Sequence, residues 1–338
     1  MRGVTTHPLA FAVLLVGCAL SACLEFRTDD KPFLCPGEPC PRDGGLDGAV
    51  EDGGPGGGAP GGGGGGGGAV DREWSHWAPP PDGPNAYTFD ADAVVDAVTG
   101  LTWQREVAGL FSWARAVSYC DDLELAGQVD WRLPTRIELL SVVDSARVEG
   151  PYLNGVAFPE SPVSSFWTAT RAANVPGEAR RTVRFVGATG DLWDSPETRH
   201  GVRCVRGGKL TAVASPPARF RAGAETSFDE VTRLMWQLNV DAARYDWMAA
   251  RSYCEGLRLG GFNGGWRLPT RKELETLVDV RRETAPASHV ESFPGTPGTP
   301  FWTSTVGPAA TAWTVDFGFG GSTSLNGVTN SIEVRCVR

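Results

Sequence analysis

Trp131-Arg132-Leu133-Pro134-Thr135-Arg136 recurs unchanged at Trp266–Arg271. In each copy the proline holds the preceding leucine in an extended conformation. The threonine and a glutamate three residues later (Glu138, Glu273) form the pattern of a capping box, which begins a helix. The hexapeptide therefore predicts a loop that starts a helix, which is a structural role.

The helices after the hexapeptides are predicted to place apolar side chains inward, namely Leu139, Leu140 and Val143 in one copy and Leu274, Leu277 and Val278 in the other. Arg132 and Arg267 are expected to pair with a carboxylate such as Asp144 or Asp279 at the far end of the helix, because an arginine in a packed loop is usually paired.

Other landmarks recur around each hexapeptide in the same order. They are Leu101-Thr-Trp-Gln104 and Leu234-Met-Trp-Gln237, Trp113…Cys120 and Trp247…Cys254, Phe158-Pro159 and Phe293-Pro294, Phe166-Trp-Thr168 and Phe301-Trp-Thr303, and a closing Val-Arg-Cys-Val-Arg. This long period predicts two tandem globular domains, at 74–208 and 209–338, rather than a short-period solenoid. A residue that occurs in only one copy is free to be specialised.

Four cysteines occupy equivalent positions in the two units. Cys120 and Cys254 fall on the buried stripe of a first helix, capped by Ser112 or Asp246, while Cys204 and Cys336 lie in the closing segment. An even number of cysteines in an exported chain indicates disulfides, so we predict Cys120–Cys204 and Cys254–Cys336. Zinc is the rival interpretation, but CxxC spacing is absent and the histidines do not repeat; we predict no metal and no cofactor.

The N-terminus predicts export. A short apolar stretch after Arg2 ends in Leu20-Ser-Ala-Cys23, the pattern of a bacterial lipobox in which the cysteine is lipidated. Cys18 also fits this pattern, and an ordinary cleaved signal peptide is the alternative. We expect a signal peptide at 1–22, a lipid anchor on Cys23 and a cell-envelope location, at the outer membrane or cell surface.

Residues 23–73 are predicted to be a disordered tether, since they contain several prolines and the glycine run 61–68. Cys35 and Cys40 lie in this segment, either paired with each other or between chains. The net charge of −9, with no long basic run, argues against nucleic acid as a partner.

Together, the landmarks resemble the bacterial Lcl C-terminal-type domain, in two copies. That family is distantly similar to C-type-lectin-like and sulfatase-modifying-factor folds. The resemblance implies an α+β fold in which each domain packs two helices on a small, mostly antiparallel sheet with long loops. A cysteine on the first helix bonded to the last strand is also how C-type-lectin-like domains are stapled.

The family name comes from a surface adhesin whose terminal domain is associated with sulfated glycosaminoglycans. This chain departs from that adhesin, because its stalk has no collagen repeats and its domains are not basic. Binding of sulfated polymers relies on clustered positive charge and is therefore not expected here.

Catalysis is not expected. Sulfatase-modifying chemistry needs free cysteines, and here the domain cysteines are assigned to disulfides. His200 has Asp191 and Asp194 nearby in sequence, but the second unit has no counterpart, and we expect His200 to be a solvated loop residue. No catalytic residue is predicted.

The stretch before each final cysteine differs most between the copies, so it is the expected ligand site. Its candidates are Asp191, Trp193 and Asp194 in the first unit and Trp313, Asp316, Asn326 and Asn330 in the second. Exposed aromatics with amides or carboxylates suit a glycan. The alternatives are that both tryptophans are core residues, and that Asp191 and Asp194 hold calcium.

Two functions follow from these patterns. The first is a lipid-anchored, adhesin-like surface protein with two lectin-like modules that bind glycan or protein ligands. The second is a structural envelope lipoprotein without a soluble ligand.

Overall fold

The computed structural model describes residues 71–79, 85–147, 149–159, 165–186, 190–210 and 215–338. The predicted signal peptide, the lipidation site Cys23 and the tether cysteines Cys35 and Cys40 lie outside these residues. Within the described residues, no helix is long and apolar enough to cross a membrane.

In its described residues, the first repeat contains two helices and two sheets. Its elements are β1 (Tyr87–Phe89), β2 (Ala93–Asp96), β3 (Leu101–Gln104), β4 (Leu110–Phe111), α1 (Trp113–Asp121), α2 (Arg136–Ser141), β5 (Ser165–Arg171), β6 (Arg180–Arg184), β7 (Asp191–Asp194), β8 (His200–Gly201) and β9 (Val205–Gly207). The sheet orders are β1-β2-β3-β9 and β4-β8-β5-β6-β7. All strand pairs are antiparallel except β5 with β8.

The second repeat follows the same plan. Its elements are β10 (Phe220–Ala222), β11 (Thr226–Asp229), β12 (Met235–Gln237), α3 (Trp247–Gly256), α4 (Arg271–Glu275), β13 (Pro300–Val306), β14 (Thr311–Asp316) and β15 (Ser322–Gly327). The sheets are β10-β11-β12 and β13-β14-β15. Isolated bridges at Tyr245–Ile332 and Trp236–Val337 stand where the first repeat forms β4–β8 and β3–β9. The α+β class and the tandem organisation are confirmed.

The predicted starts of the second helices are confirmed. Thr135 with Glu138, and Thr270 with Glu273, form capping boxes at the beginnings of α2 and α4. Both helices are short, so Val143, Leu277 and Val278 lie just beyond the helix ends, although all the predicted inward residues are buried.

Both predicted disulfides are present. Cys120–Cys204 and Cys254–Cys336 each join a first helix to the closing segment, with Cα atoms 5.5 Å apart. All four cysteines are fully buried. Each bond closes the chain of its own repeat, as the equivalence of the landmarks predicted.

The two repeats pack against each other within one compact unit. Every residue of α2 and of α4 is buried, including charged side chains, because one side of each helix covers its own core and the other meets the opposite repeat. Lys272 on α4, for example, donates from Nζ to the carbonyl oxygen of Ser141 on α2 at 3.1 Å. We call this contact between repeats the inter-repeat interface.

The interface also joins the sheets. The amide of Gly190, before β7, donates to the carbonyl oxygen of Thr323 in β15 at 3.1 Å. Trp313 in β14 of the second repeat belongs to the apolar cluster of the first, where it meets the Tyr152 ring edge-on at 5.7 Å. The predicted domains at 74–208 and 209–338 are therefore not independent bodies.

The boundary predicted for the tether is also too late in the chain. Asp71, Arg72 and Glu73, which the sequence assigned to the tether, contact both repeats. Trp74, assigned to the first domain, packs in the core of the second.

Candidate functional site

The shared landmarks meet in space as scaffold. In the first repeat, Gln104 donates from Nε2 to the Tyr119 hydroxyl at 2.9 Å, and its Oε1 accepts from the amide of Cys204 at 3.2 Å. Gln237 makes the same two bonds in the second repeat, to Tyr253 at 2.9 Å and from the Cys336 amide at 3.0 Å. One glutamine thus ties the first helix to the disulfide in each repeat.

The arginine before each final cysteine is also structural. Arg203 donates to the carbonyl oxygen of Gln104 at 2.7 Å, and its guanidinium lies 4.7 Å from the centre of the Phe158 ring. Arg335 repeats this with Gln237 at 2.9 Å and Phe293 at 4.8 Å. Burial lowers the pKa of both arginines to about 9, so both remain charged at neutral pH.

The expected partners of Arg132 and Arg267 were wrong. Arg132 forms a two-pronged pair with Glu138, at 2.7 and 2.6 Å, instead of reaching Asp144. Arg267 pairs in the same way with Glu273 rather than with Asp279. The reason is distance along the helix: the capping glutamate faces back toward the hexapeptide, whereas the aspartate lies past the other end of the helix.

One predicted ligand residue of each repeat occupies an equivalent place, Asp194 in β7 and Asn326 in β15, whereas Trp313 and Asp316 lie in β14 and match no candidate of the first repeat. Thr198 donates to Oδ1 of Asp194 at 2.9 Å, after β7. Asn330 donates to Oδ1 of Asn326 at 3.3 Å, after β15. Asp194 and Asn326 stand opposite Arg180 and Ala312 in the matching strand registers, so the repeats differ here by one charge on each strand.

The two candidate tryptophans differ in solvent exposure. Trp193 is 46% exposed, whereas Trp313 is completely buried. The prediction of Trp313 as a ligand residue is wrong, because the first repeat covers its indole at the inter-repeat interface. Trp193 remains accessible on the edge strand β7.

Of the remaining candidates, Asp316 has a structural role, and the side chain of Asp191 is not described. Asp316 accepts from the Gly318 amide at 2.7 Å and so holds the turn after β14, while burial raises the pKa of its carboxyl. Asp191 lies in β7, and the position of its side chain is outside the description. Among the described residues, no cluster of three or more His, Cys, Asp or Glu side chains is placed to hold a metal ion.

His200 is not the solvated loop residue that the sequence suggested. It lies in β8, half-buried, with its ring 4.5 Å from the Trp167 ring and its Nε2 3.1 Å from Oδ2 of Asp194. Burial alone would raise the pKa of Asp194, but hydrogen bonds from Thr198, the Ser195 amide and His200 lower it. In the second repeat, Ile332 stands in place of His200.

Beside this turn the first repeat has an open groove of about 480 Å³. It lies between the start of α1 and the segment that follows β7, and its lining residues are Leu110, Phe111, Ser112, Arg115, Glu197 and Arg199. We call it the α1 groove. The side chains of Arg115, Glu197 and Arg199 are exposed, and no ion pair within the described residues involves them.

A second cleft of about 370 Å³ adjoins the groove at Arg115 and follows α1 through Tyr119 to Glu124. The rings of Phe111 and Tyr119 lie 5.3 Å apart at a tilt of 52°, and the Arg115 guanidinium lies 4.9 Å from the centre of the Phe111 ring. The two clefts share Arg115, and together they are lined by two aromatic rings, two guanidinium groups and the carboxylates of Asp122, Glu124 and Glu197.

The aromatic pair recurs in the second repeat, but the charges do not. Tyr245 and Tyr253 stack there at 4.9 Å. The residues equivalent to Arg115, Glu197 and Arg199 are Ala249, Thr329 and Ser331. The α1 groove is thus chemically particular to the first repeat.

Comparison with known proteins identifies the family. The model of the Lcl C-terminal domain matches residues 92–206 and 225–338, which together make up more than half of the chain. The chain belongs to the Lcl C-terminal domain family. The two Lcl C-terminal domains coincide with the two repeats, and the predicted resemblance is confirmed. No curated protein sequence matches the chain.

The groove of the first Lcl C-terminal domain was not predicted: Glu197 and Arg199 lie in the stretch before the last cysteine but were not among the candidates predicted there, and Arg115 lies outside that stretch. A signal was present in the sequence: Arg115 has Ala249 at the equivalent place, one of the positions at which α1 and α3 differ. What the sequence did not provide was the approach of Glu197 and Arg199, some 80 residues later, to that helix.

Proposed function

We propose that this protein is an exported, lipid-anchored surface recognition protein that binds a glycan or protein ligand through its first Lcl C-terminal domain. The lipobox ending at Cys23 and the disulfides support export and anchoring in the cell envelope. The proposal includes no catalytic step.

The α1 groove carries this proposal. Residues shared by both domains are bonded into the scaffold, as Gln104 and Arg203 illustrate. Within the described part of the chain, no hydrogen bond or ion pair ties the exposed side chains of Arg115, Glu197 and Arg199 to the scaffold, although Arg115 lies over the Phe111 ring; these three residues occur in one domain only. Exposed side chains without a structural task, gathered around a cleft, are those that ligand recognition requires.

The chemistry of the groove suits a ligand with an apolar face and polar groups. The Phe111–Tyr119 pair offers ring surface for a sugar or an apolar side chain. The two arginines donate to carboxylate or hydroxyl oxygens, and Glu197 accepts. Trp193, exposed on β7, is a further aromatic surface on the same domain.

A C-type-lectin-like fold is part of the proposal. The helix-to-end disulfides support it, as do the two helices and the small sheets of each domain. In such folds the loops carry recognition, and the groove is lined in part by the short segment between β7 and β8.

Binding to a broad glycan array by the full chain in detergent tests the proposal. We expect Arg115→Ala combined with Arg199→Ala to weaken binding at least tenfold. The matched control is Arg251→Ala combined with Arg258→Ala, which removes the same charge from exposed positions on and after α3 and should change binding less than twofold. Equal effects of the two double variants, or no glycan or protein ligand at all, would refute it.

The alternative is a structural envelope lipoprotein, favoured by the inter-repeat interface. The buried charges of α2 and α4 join the domains into one body, which suits a rigid spacer. If this alternative holds, the protein binds no glycan on the array. Cross-linking in cells then yields the same envelope partner for the parent protein and for the variant that lacks Arg115 and Arg199.

A further inference from the structure

The segment 71–77 is a strap that joins the two Lcl C-terminal domains. Its two tryptophans enter different cores. Trp77 packs in the cluster of the first domain, whereas Trp74 packs in that of the second, with its ring edge-on to Phe220 at 6.2 Å. A single short segment thus contributes to both hydrophobic cores.

Polar bonds repeat this double attachment. The carbonyl oxygen of Arg72 accepts from the hydroxyl of Thr135, the capping residue of α2, at 2.9 Å. On the other side, the carbonyl oxygen of Ser75 accepts from Arg219 at 2.9 Å, and Asp71 accepts from Arg281 at 2.6 Å. Detachment of the strap would therefore loosen the domains from each other.

Glu73 lies between these attachments, at a cleft of about 190 Å³ lined by both domains. The cleft residues are Glu73, Thr170, Arg171, Ala173, Val280, Arg281 and Glu283. The Thr170 hydroxyl donates to Oε2 of Glu73 at 2.7 Å and accepts from the Arg136 amide at 2.8 Å. The Glu73 carboxyl is thus bonded to the residue that also holds the start of α2.

Charged groups face Glu73 from every side. They are Asp71 and Arg72 on the strap, Arg136 and Glu138 on α2, Arg171 at the end of β5, and Arg281 and Glu283 after α4. Burial raises the pKa of Glu73 from 4.5 to about 7. Glu138 and Asp71 add to this rise, while the Thr170 hydrogen bond and Arg136 oppose it.

We propose that the strap is a proton-controlled latch, which holds the two domains together when Glu73 is protonated and loosens when its carboxyl ionises. A carboxyl whose pKa is higher in the closed state than in the open state stabilises the closed state. This contribution to the free energy of closure is fully present below pH 4.5. That contribution is lost as the pH rises from 4.5 to about 7, and it stays lost above. The inference is independent of any ligand.

The strap also carries the titratable ring of His76. Its Nε2 lies 2.9 Å from the carbonyl oxygen of Asp71, and burial lowers the pKa of its ring. Protonation of His76 at the acidic end therefore opposes closure, so a variant at Glu73 is needed to isolate the contribution of the carboxyl.

Hydrogen exchange of the full chain in detergent, followed by mass spectrometry at pH 5.5, 6.5 and 7.5, tests the latch. After correction for intrinsic exchange rates, protection of peptide 71–77 should fall by about tenfold or more between pH 5.5 and 7.5. Strand β3 is the internal reference. Glu73→Gln, which keeps an acceptor for Thr170, should remove this pH dependence and hold the strap protected at pH 7.5.

The matched control is Glu283→Gln, an exposed carboxylate on the same cleft, which should behave as the parent protein does. The proposal is overturned if protection of the strap in the parent protein changes less than twofold over this range. It is equally overturned if Glu73→Gln loses protection as the parent does.

Discussion

Arg136 donates a 2.6 Å hydrogen bond from Nη2 to the carbonyl oxygen of Gly321, so the last residue of the first hexapeptide ends inside the other domain. Arg271, the last residue of the second hexapeptide, lies over the Trp313 ring at 4.2 Å and in contact range of Gly190 in the first domain. The duplicated motif therefore starts a helix and joins the two domains reciprocally.

The approach of Gly190 to Arg271 leads to a steric prediction. A methyl group on Gly190 would collide with the Arg271 guanidinium and lie 2.6 Å from Oγ1 of Thr323. Gly190→Ala should lower the free energy of unfolding by about 1–3 kcal/mol, measured by urea denaturation. Gly155→Ala is the control, since nothing lies within 4 Å of its added carbon, and it should be nearly neutral. Equal stabilities of the two variants would contradict the close contact.

Substitution of Trp313 and of Trp193 should affect stability very differently. Trp313→Ala should lower the free energy of unfolding by about 3–5 kcal/mol, because its buried indole fills the interface. Trp193→Ala should change stability by about 0.5 kcal/mol or less, since its ring is 46% exposed. Thermal unfolding of both variants checks this, and a large loss with Trp193→Ala would argue that the ring is packed.

The two disulfides should contribute similarly. Cys254→Ala with Cys336→Ala should cost about 2–5 kcal/mol of unfolding free energy. Cys120→Ala with Cys204→Ala should cost a comparable amount, because the sequence separations are 82 and 84 residues. Denaturation of each double variant measures the loss. If the two losses of unfolding free energy differ by more than the measurement error, the prediction of equal contributions is wrong.

The Asp194 turn gives a prediction in acid. Because the pKa of Asp194 is lowered in the folded protein, its contribution to stability is present above pH 3.8 and is lost as the pH falls through the folded pKa. Asp194→Asn, which installs the residue found at Asn326, should remove this acid-dependent loss. Acid titration followed by circular dichroism makes the comparison. An unchanged titration curve would mean that the turn does not depend on the carboxylate.

Local structure followed from the sequence because its causes lie a few residues apart. The capping boxes at Thr135 and Thr270 depend on a side chain and an amide three positions away. The disulfides came from comparing one unit with the other, since equivalent cysteines must satisfy the same fold. The pairing of Arg132 was mispredicted because two carboxylates were within sequence reach and only the folded loop selects Glu138.

The sequence by itself determined the duplicated α+β design, its helix starts and its disulfides. The tertiary structure alone decided that Trp313 is buried while Trp193 is exposed, and that Arg115 and Arg199 line the same groove. Burial depends on which distant surfaces the chain brings together. The polar residues of α2 and α4 look like solvent-facing positions until a second domain covers them.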